Sequence, residues 1–145
     1  MAEIWDLLRN VTVVSFEARS AAQTGWNGAG TGSVAVSEPS PGVLVFAESG
    51  SWQPHGRRDI RFSNVYRWTL AGDVLRLEHL RFGEANAVHL IDFTQAGERE
   101  WRSSSPHLCR ADCYSAVLTV RDDALLLNWT IDGPRKRETI EYVYL

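Results

Sequence analysis

The sequence predicts an all-β protein: one closed, up-and-down antiparallel barrel of about ten strands, entered through a short N-terminal helix. Three observations lead there. Apolar and polar residues alternate with period two through most of the chain, as where Ile60, Phe62, Tyr66 and Trp68 oppose Arg61, Ser63 and Arg67. The alternating stretches are short and joined by turns rich in Gly, Asp, Asn and Pro. A chain of 145 residues makes one domain, residues 1–145, with one core. Closing a single sheet on itself removes both exposed edges, so a barrel is the economical architecture.

The elements follow in order. Residues 2–10 place Leu8 one turn after Ile4, beside Trp5 and Leu7, which is the spacing of a short amphipathic helix. Such a helix is marginal alone and is expected to plug or flank the barrel. From Val11 the period becomes two, with Val14, Phe16 and Ala18 alternating with Ser15, Glu17 and Arg19. The stretch Gly25-Trp26-Asn27-Gly28-Ala29-Gly30-Thr31-Gly32 has the glycines of a phosphate cradle. A cradle needs a helix after it, and here Ser33 to Val36 opens a strand. The stretch is therefore read as a flexible hairpin connection at the barrel mouth, with Trp26 as a lid or a packing anchor. Residues 39–42 turn into a strand from Val43 to Trp52, which puts Leu44, Phe46 and Glu48 on one face. A turn at 53–56 leads to a long strand from Arg57 to Leu70. Beyond Gly72-Asp73, Val74 to Phe82 and Ala85 to Phe93 form a hairpin around Gly83-Glu84. Residues 95–98 turn into Arg99 to Ser104. Asp112 to Arg121 pairs with Ala124 to Asp132, and Arg135 to Leu145 is the last strand.

The densest polar chemistry lies in Pro106-His107-Leu108-Cys109-Arg110-Ala111-Asp112-Cys113-Tyr114, answered by Gly133-Pro134-Arg135-Lys136. Cys109 and Cys113 are too far apart for a disulfide on an extended strand, and a bridge needs the segment to turn back. In a reducing compartment free thiols are expected. His107, Cys109 and Cys113 make three metal ligands where a structural zinc site takes four, so no metal is expected. Strand parity puts Asp112 and Tyr114 on the inward face with Ala116, Leu118 and Val120, and Lys136 and Glu138 with Ile140, Tyr142 and Tyr144. Asp112 then meets Arg135 or Lys136. Two roles stand open for the pair: a buried salt bridge closing the barrel, or a ligand contact.

These motifs carry a resemblance. His107-x-Cys109-x-x-Asp112-x-Tyr114 with Gly133-Pro134-Arg135-Lys136, after Tyr66-Arg67-Trp68, resembles the bacterial family DUF6314 over roughly Gly30 to the C-terminus. The resemblance implies a calycin-like barrel, akin to lipocalins and fatty-acid-binding proteins, and a polar cluster. It supplies no activity. The first strand departs from the Gly-x-Trp start common in calycins and carries Phe16 and Arg19 instead.

Several classes are excluded. The net charge of −3 argues against a nucleic-acid partner. No apolar run approaches the roughly 18 residues of a membrane span, and the N-terminus lacks a secretory pattern, so a cytoplasmic location is expected. No Ser-His-Asp order, nucleophile elbow or carboxylate pair marks a hydrolase. No cofactor is expected, although His89, sharing parity with Ala87, Ile91 and Phe93, reads as inward and within reach of a haem or a substrate. Two functions remain. One is a binding barrel for a small hydrophobic molecule, aromatic or isoprenoid-like, with an acidic or carbonyl group met by Arg61, Arg135 or Lys136. Its wall would include Tyr66, Trp68, His89, Trp129 and Tyr142. The other is a cofactor-independent isomerase or cyclase using His107, Asp112 and Tyr114 as acid–base groups, with Asp112 or Glu48 beside His107. A homodimer is compatible with either.

Overall fold

The computed structural model describes residues 2–21, 27–104, 107–109, 112–134 and 136–145, with the backbone alone at residues 2 and 107–109. One helix, α1 (Ala2–Arg9), precedes strands β1 (Val13–Ser20), β2 (Gly28–Ser40), β3 (Val43–Pro54), β4 (Ile60–Ala71), β5 (Val74–His79), β6 (Val88–Gly97), β7 (Glu100–Ser103), β8 (His107–Cys109), β9 (Asp112–Arg121), β10 (Ala124–Asp132) and β11 (Arg137–Tyr144). Neighbours pair antiparallel around a ring that β11 closes against β1, with Val14 opposite Tyr144. Strands β7 and β8 share one edge of β9: Glu100 to Arg102 face Thr119 to Val117, and His107 to Cys109 face Tyr114 to Asp112. The result is a closed ten-strand antiparallel barrel, β8 being a three-residue supplement to β7. No described helix is long and apolar enough to cross a membrane.

Helix α1 caps one end. Glu3 in its first turn and Arg9 in its last suit the helix dipole. Both side chains also tie the helix to the barrel, Arg9 to Glu38 at 3.2 Å and Glu3 to Arg99 at 3.0 Å. The β-branched run from Val11 to Val14 then favours strand and ends the helix. Ile4 and Leu8 point down into the barrel and are fully buried among Val14, Leu44, Trp68, Leu75, Phe93 and Leu118. This end is packed solid. Trp68, expected in a ligand wall, belongs to this packing, 6.1 Å from the Phe46 ring and 6.0 Å from that of Phe93.

Three expectations change along the strands. The glycine-rich stretch is not all connection, because β2 starts at Gly28. Gly30 and Gly32 recur with strand period, and a Cβ at Gly30 would strike the Phe16 ring and Trp52 Cβ. The absent side chains let aromatic rings lie on bare backbone. Trp26 falls outside the described residues. In β6 the pairing slips against β5 between Leu77 and Glu78, so Leu77 opposes Ile91 while Glu78 opposes His89. The extra residue, Leu90, breaks the parity that read His89 as inward. His89 lies on the exposed face, bonded to Asp92 at 3.0 Å. Around this bulge β5 stops at His79 and β6 begins at Val88, with a 3-10 turn at Glu84–Asn86 between them, shorter than the hairpin expected.

Truncating the plug tests its role. Leu8→Ala should destabilise the protein by about 2–5 kcal/mol in urea unfolding, the range for fully buried leucines. A loss of a few tenths would mean that α1 only rests on the barrel.

Candidate functional site

The barrel is filled at the α1 end and hollow at the other. The alternation of β3 carries Leu44 and Phe46 into the packed core and Glu48 one step beyond it. Glu48 is 2 % exposed. Its Oε2 accepts a hydrogen bond from the Tyr144 hydroxyl at 2.7 Å, and its Oε1 has no partner among the described residues. Burial pushes this carboxyl up to about 7, against the opposing pull of the Tyr144 bond. Two more phenols stand close by. Tyr66 and Tyr142 interact through their hydroxyls, and Tyr142 stacks on Tyr144 at 6.1 Å with 9° between the ring planes. Burial raises Tyr66 and Tyr144 well above the usual tyrosine range and Tyr142 to about 12, and the Glu48 charge adds to each. All three stay protonated at neutral pH; the Tyr144 proton is given to Glu48 and that of Tyr66 to Tyr142, which leaves Tyr142 with an O–H to donate.

Beside this cluster opens a cavity of about 190 Å³, lined by Tyr66, Tyr142 and Tyr144 together with Leu127, Trp129 and Ile131 of β10. Leu77, Leu90, Tyr114 and Ile140 complete its apolar wall with His79. The Tyr66 ring meets the His79 imidazole edge to face at 4.9 Å. The Arg81 backbone N–H donates to His79 Nδ1 at 2.9 Å, which leaves the ring proton on Nε2. Burial, and then the Arg81 charge, lower the His79 pKa, so the ring is neutral at pH 7. A second cavity of about 320 Å³ lies on the other side of Ile140 and Tyr142, walled by Phe16, Trp52 and Phe62 with Asn64, Arg19 and Glu138.

The structure sorts the remaining expected site residues. Tyr66, Tyr114, Trp129 and Tyr142 line the first cavity. Arg61 is exposed on the outer face of β4, opposite in parity to Phe62, and lines neither of these cavities. Its own neighbours in the alternation predicted that placement. Lys136 bonds Asp112 at 3.2 Å, and the Asp112 bond is the main cause holding the lysine charged beyond its usual range. Their side chains are 36 % and 25 % exposed, so this is a rim pair and not the buried bridge expected. Strand parity gives the face of Asp112 but not its depth, and Asp112 is the first residue of β9. Gly133 packs against it so closely that a Cβ would meet its carboxylate. Backbone register sets His107 opposite Tyr114, and Cys109 opposite Asp112. The side chains of His107 and Cys109, and all of Arg135, lie outside the described residues. Sequence reasoning put Glu48 on the right face of its strand but missed it as the centre of the site, along with Tyr144 and His79. The available signal was a carboxylate at an inward position of β3 after Leu44 and Phe46.

Two measurements check this geometry. Asp112→Ala should cost about 1 kcal/mol or less, as exposed pairs do, and a loss of several kcal/mol would restore the buried bridge. Glu48 gives a pH signature. Its folded pKa, about 7, lies above the ordinary 4.5. The proton therefore binds more tightly in the folded state, and the associated stability is complete below pH 4.5 and is lost as pH rises through about 7. Relative to Glu48→Gln, the parent should lose about 3 kcal/mol between pH 4 and pH 8. Parallel stability curves for parent and variant would show that Glu48 is not buried.

Comparison with known proteins adds a family and two distant structures. No curated protein matches the chain. Among solved structures, a redesigned beta barrel, mFAP1, bound to DFHBI is 15% identical, with 97% of this chain and 96% of that one aligned at a TM-score of 0.47. A second, EF1p2_mFAP2b bound to DFHBI, is 10% identical over 99% and 98% of the two chains at a TM-score of 0.49. The profile of DUF6314, described as a family of unknown function, matches residues 1–145, and the protein belongs to that family.

Proposed function

We propose that the barrel binds a small, flat, largely apolar molecule, aromatic or isoprenoid-like, oriented by a carbonyl or phenolic oxygen. The observation that carries this reading is the first cavity itself: an apolar chamber whose polar groups are tyrosine hydroxyls and a neutral imidazole, with no Lys or Arg among its described lining residues. Apolar burial would supply affinity, at roughly 25 cal/mol per Å² removed from water. Tyr142 would supply orientation, because Tyr144 already donates to Glu48 and Tyr66 to Tyr142, and a hydroxyl in a water-poor site exacts a cost when left unmatched. Of the three cations expected to meet an acidic ligand group, Arg61 points outward and Lys136 is held by Asp112, while Arg135 lies outside the described residues. A carboxylate would also lie near Glu48, which charges as pH rises through about 7.

A second reading, an isomerase or cyclase without a cofactor, is favoured by one feature. Glu48, with its pKa near neutrality, would exchange a proton with the first cavity through the Tyr144 hydroxyl, since Tyr144 lines that cavity and Glu48 does not, whereas Asp112 is engaged with Lys136. Solvent deuterium appearing in a bound ketone would support it.

The test combines retention and titration. Native mass spectrometry of protein from its own host should show a retained small molecule. Trp129 fluorescence should respond to neutral aromatic ketones and phenols and respond at least about tenfold more weakly to the matching carboxylic acids, a difference of ~1.4 kcal/mol. No retained molecule, together with unchanged fluorescence and melting temperature across both sets, would end the proposal. Preference for the acids would return the orienting role to a cation.

A further inference from the structure

We propose that the second cavity is a separate site for an organic cation: a methylated ammonium or a protonated amine carried on a short hydrocarbon. Its walls are largely aromatic. Phe16 stands at the centre, 5.4 Å from the Phe62 ring at 76°, 5.4 Å from Tyr142 at 37° and 6.4 Å from Trp52 at 39°. Rings tilted against one another present both edges and faces to the space between them. The faces carry the negative part of the ring quadrupole, which attracts a cation, and indole attracts it most strongly. Gly30 keeps this arrangement open, because a side chain there would displace Phe16 and Trp52.

The charges around the cavity point the same way. Arg19 is the one cation among its lining residues, and it is already engaged. Its guanidinium bonds Glu17 at 2.8 Å, and the Glu141 charge also bears on it. Glu138 lines the same wall. Of the cations next to it in the chain, Arg137 pairs with Asp132 at 3.7 Å, and Lys136 is held at 3.2 Å by Asp112 and feels Glu138 only as a weaker influence. Glu17 and Glu141 alternate with Phe16 and Tyr142 and lie outside the lining, where they offset Arg19, so that Glu138 is the carboxylate left beside the aromatic wall. A quaternary ammonium needs no hydrogen-bond acceptor, only ring faces and a nearby carboxylate, and this cavity offers both. At about 320 Å³ it is at the lower end of the range for small-molecule sites.

This inference does not rest on the reading of the first cavity. The two share Ile140 and Tyr142, but Tyr144, Trp129 and His79 line only the first. A matched pair of probes tests it. Choline and 3,3-dimethylbutan-1-ol have the same shape and differ in the central atom of the trimethyl group, positive nitrogen against carbon. Titrated into the nitrogen-15-labelled protein, choline should shift the Trp52 indole N–H and bind about tenfold more tightly than the alcohol. Glu138→Gln, with the parent's melting temperature, should weaken choline severalfold and leave the alcohol unchanged. Trp52→Leu should remove choline binding, while the Trp129 response to neutral ketones is kept. Equal binding of the two probes, choline affinity indifferent to Glu138→Gln, or no Trp52 shift at millimolar choline would overturn the proposal.

Discussion

The hydrogen bond from Tyr144 to Glu48 is the point on which the interior depends. A carboxyl group this deep carries a large desolvation cost when charged, and a barrel interior would normally exclude it. Here it marks the boundary between two halves. On the α1 side the buried rings of Phe46 and Trp68 pack against each other, and Phe46 also contacts the Tyr144 ring at 5.7 Å. On the other side the walls separate and the phenols of Tyr66 and Tyr142 come forward. One strand step along β3, from Phe46 to Glu48, takes the interior from filled to hollow.

The hollow half is shaped by what the chain leaves out as much as by what it puts in. Gly30 and Gly32 on β2 lack the side chains that would fill the mouth, and the rings of Phe16 and Phe62 use that space. The cost of placing glycine in a strand is conformational entropy, and it is offset by aromatic packing across the gap. The same device holds the second cavity open. Charge is arranged with similar economy. Two described cations are tied to carboxylates, Lys136 to Asp112 and Arg19 to Glu17, and the described lining of the first cavity is uncharged at neutral pH.

Much of the barrel was legible because period-two alternation and turn chemistry are local properties. The hairpin of β9 and β10 runs from Asp112 to Arg121 and from Ala124 to Asp132, as the alternation indicated, around Asp122 at φ 54. Parity also places Tyr66, Trp129 and Tyr142 inside. It fails where geometry is not local. A one-residue bulge at Leu90 turns His89 outward, and no pattern in the strand announces it. Depth is equally invisible: Asp112 has an inward parity but sits at the strand's first residue, where the barrel is open. Glycines at strand spacing read as a loop because their partners, the Phe16 and Phe62 rings, lie on other strands. Glu48 was placed on its face but not in its role, since the Tyr144 that holds it is 96 residues away in sequence and meets it only on ring closure.

The account turns on Glu48 being a buried carboxyl held by Tyr144, whose ring lines the first cavity. Its side-chain carboxyl carbon, labelled with carbon-13, reports this directly through its chemical shift across pH. A midpoint at about 7 is the result that the buried Glu48–Tyr144 arrangement predicts. A midpoint near 4.5, the ordinary glutamate value, would mean that water or a cation reaches the group, and the division of the barrel into filled and hollow halves would fall with it.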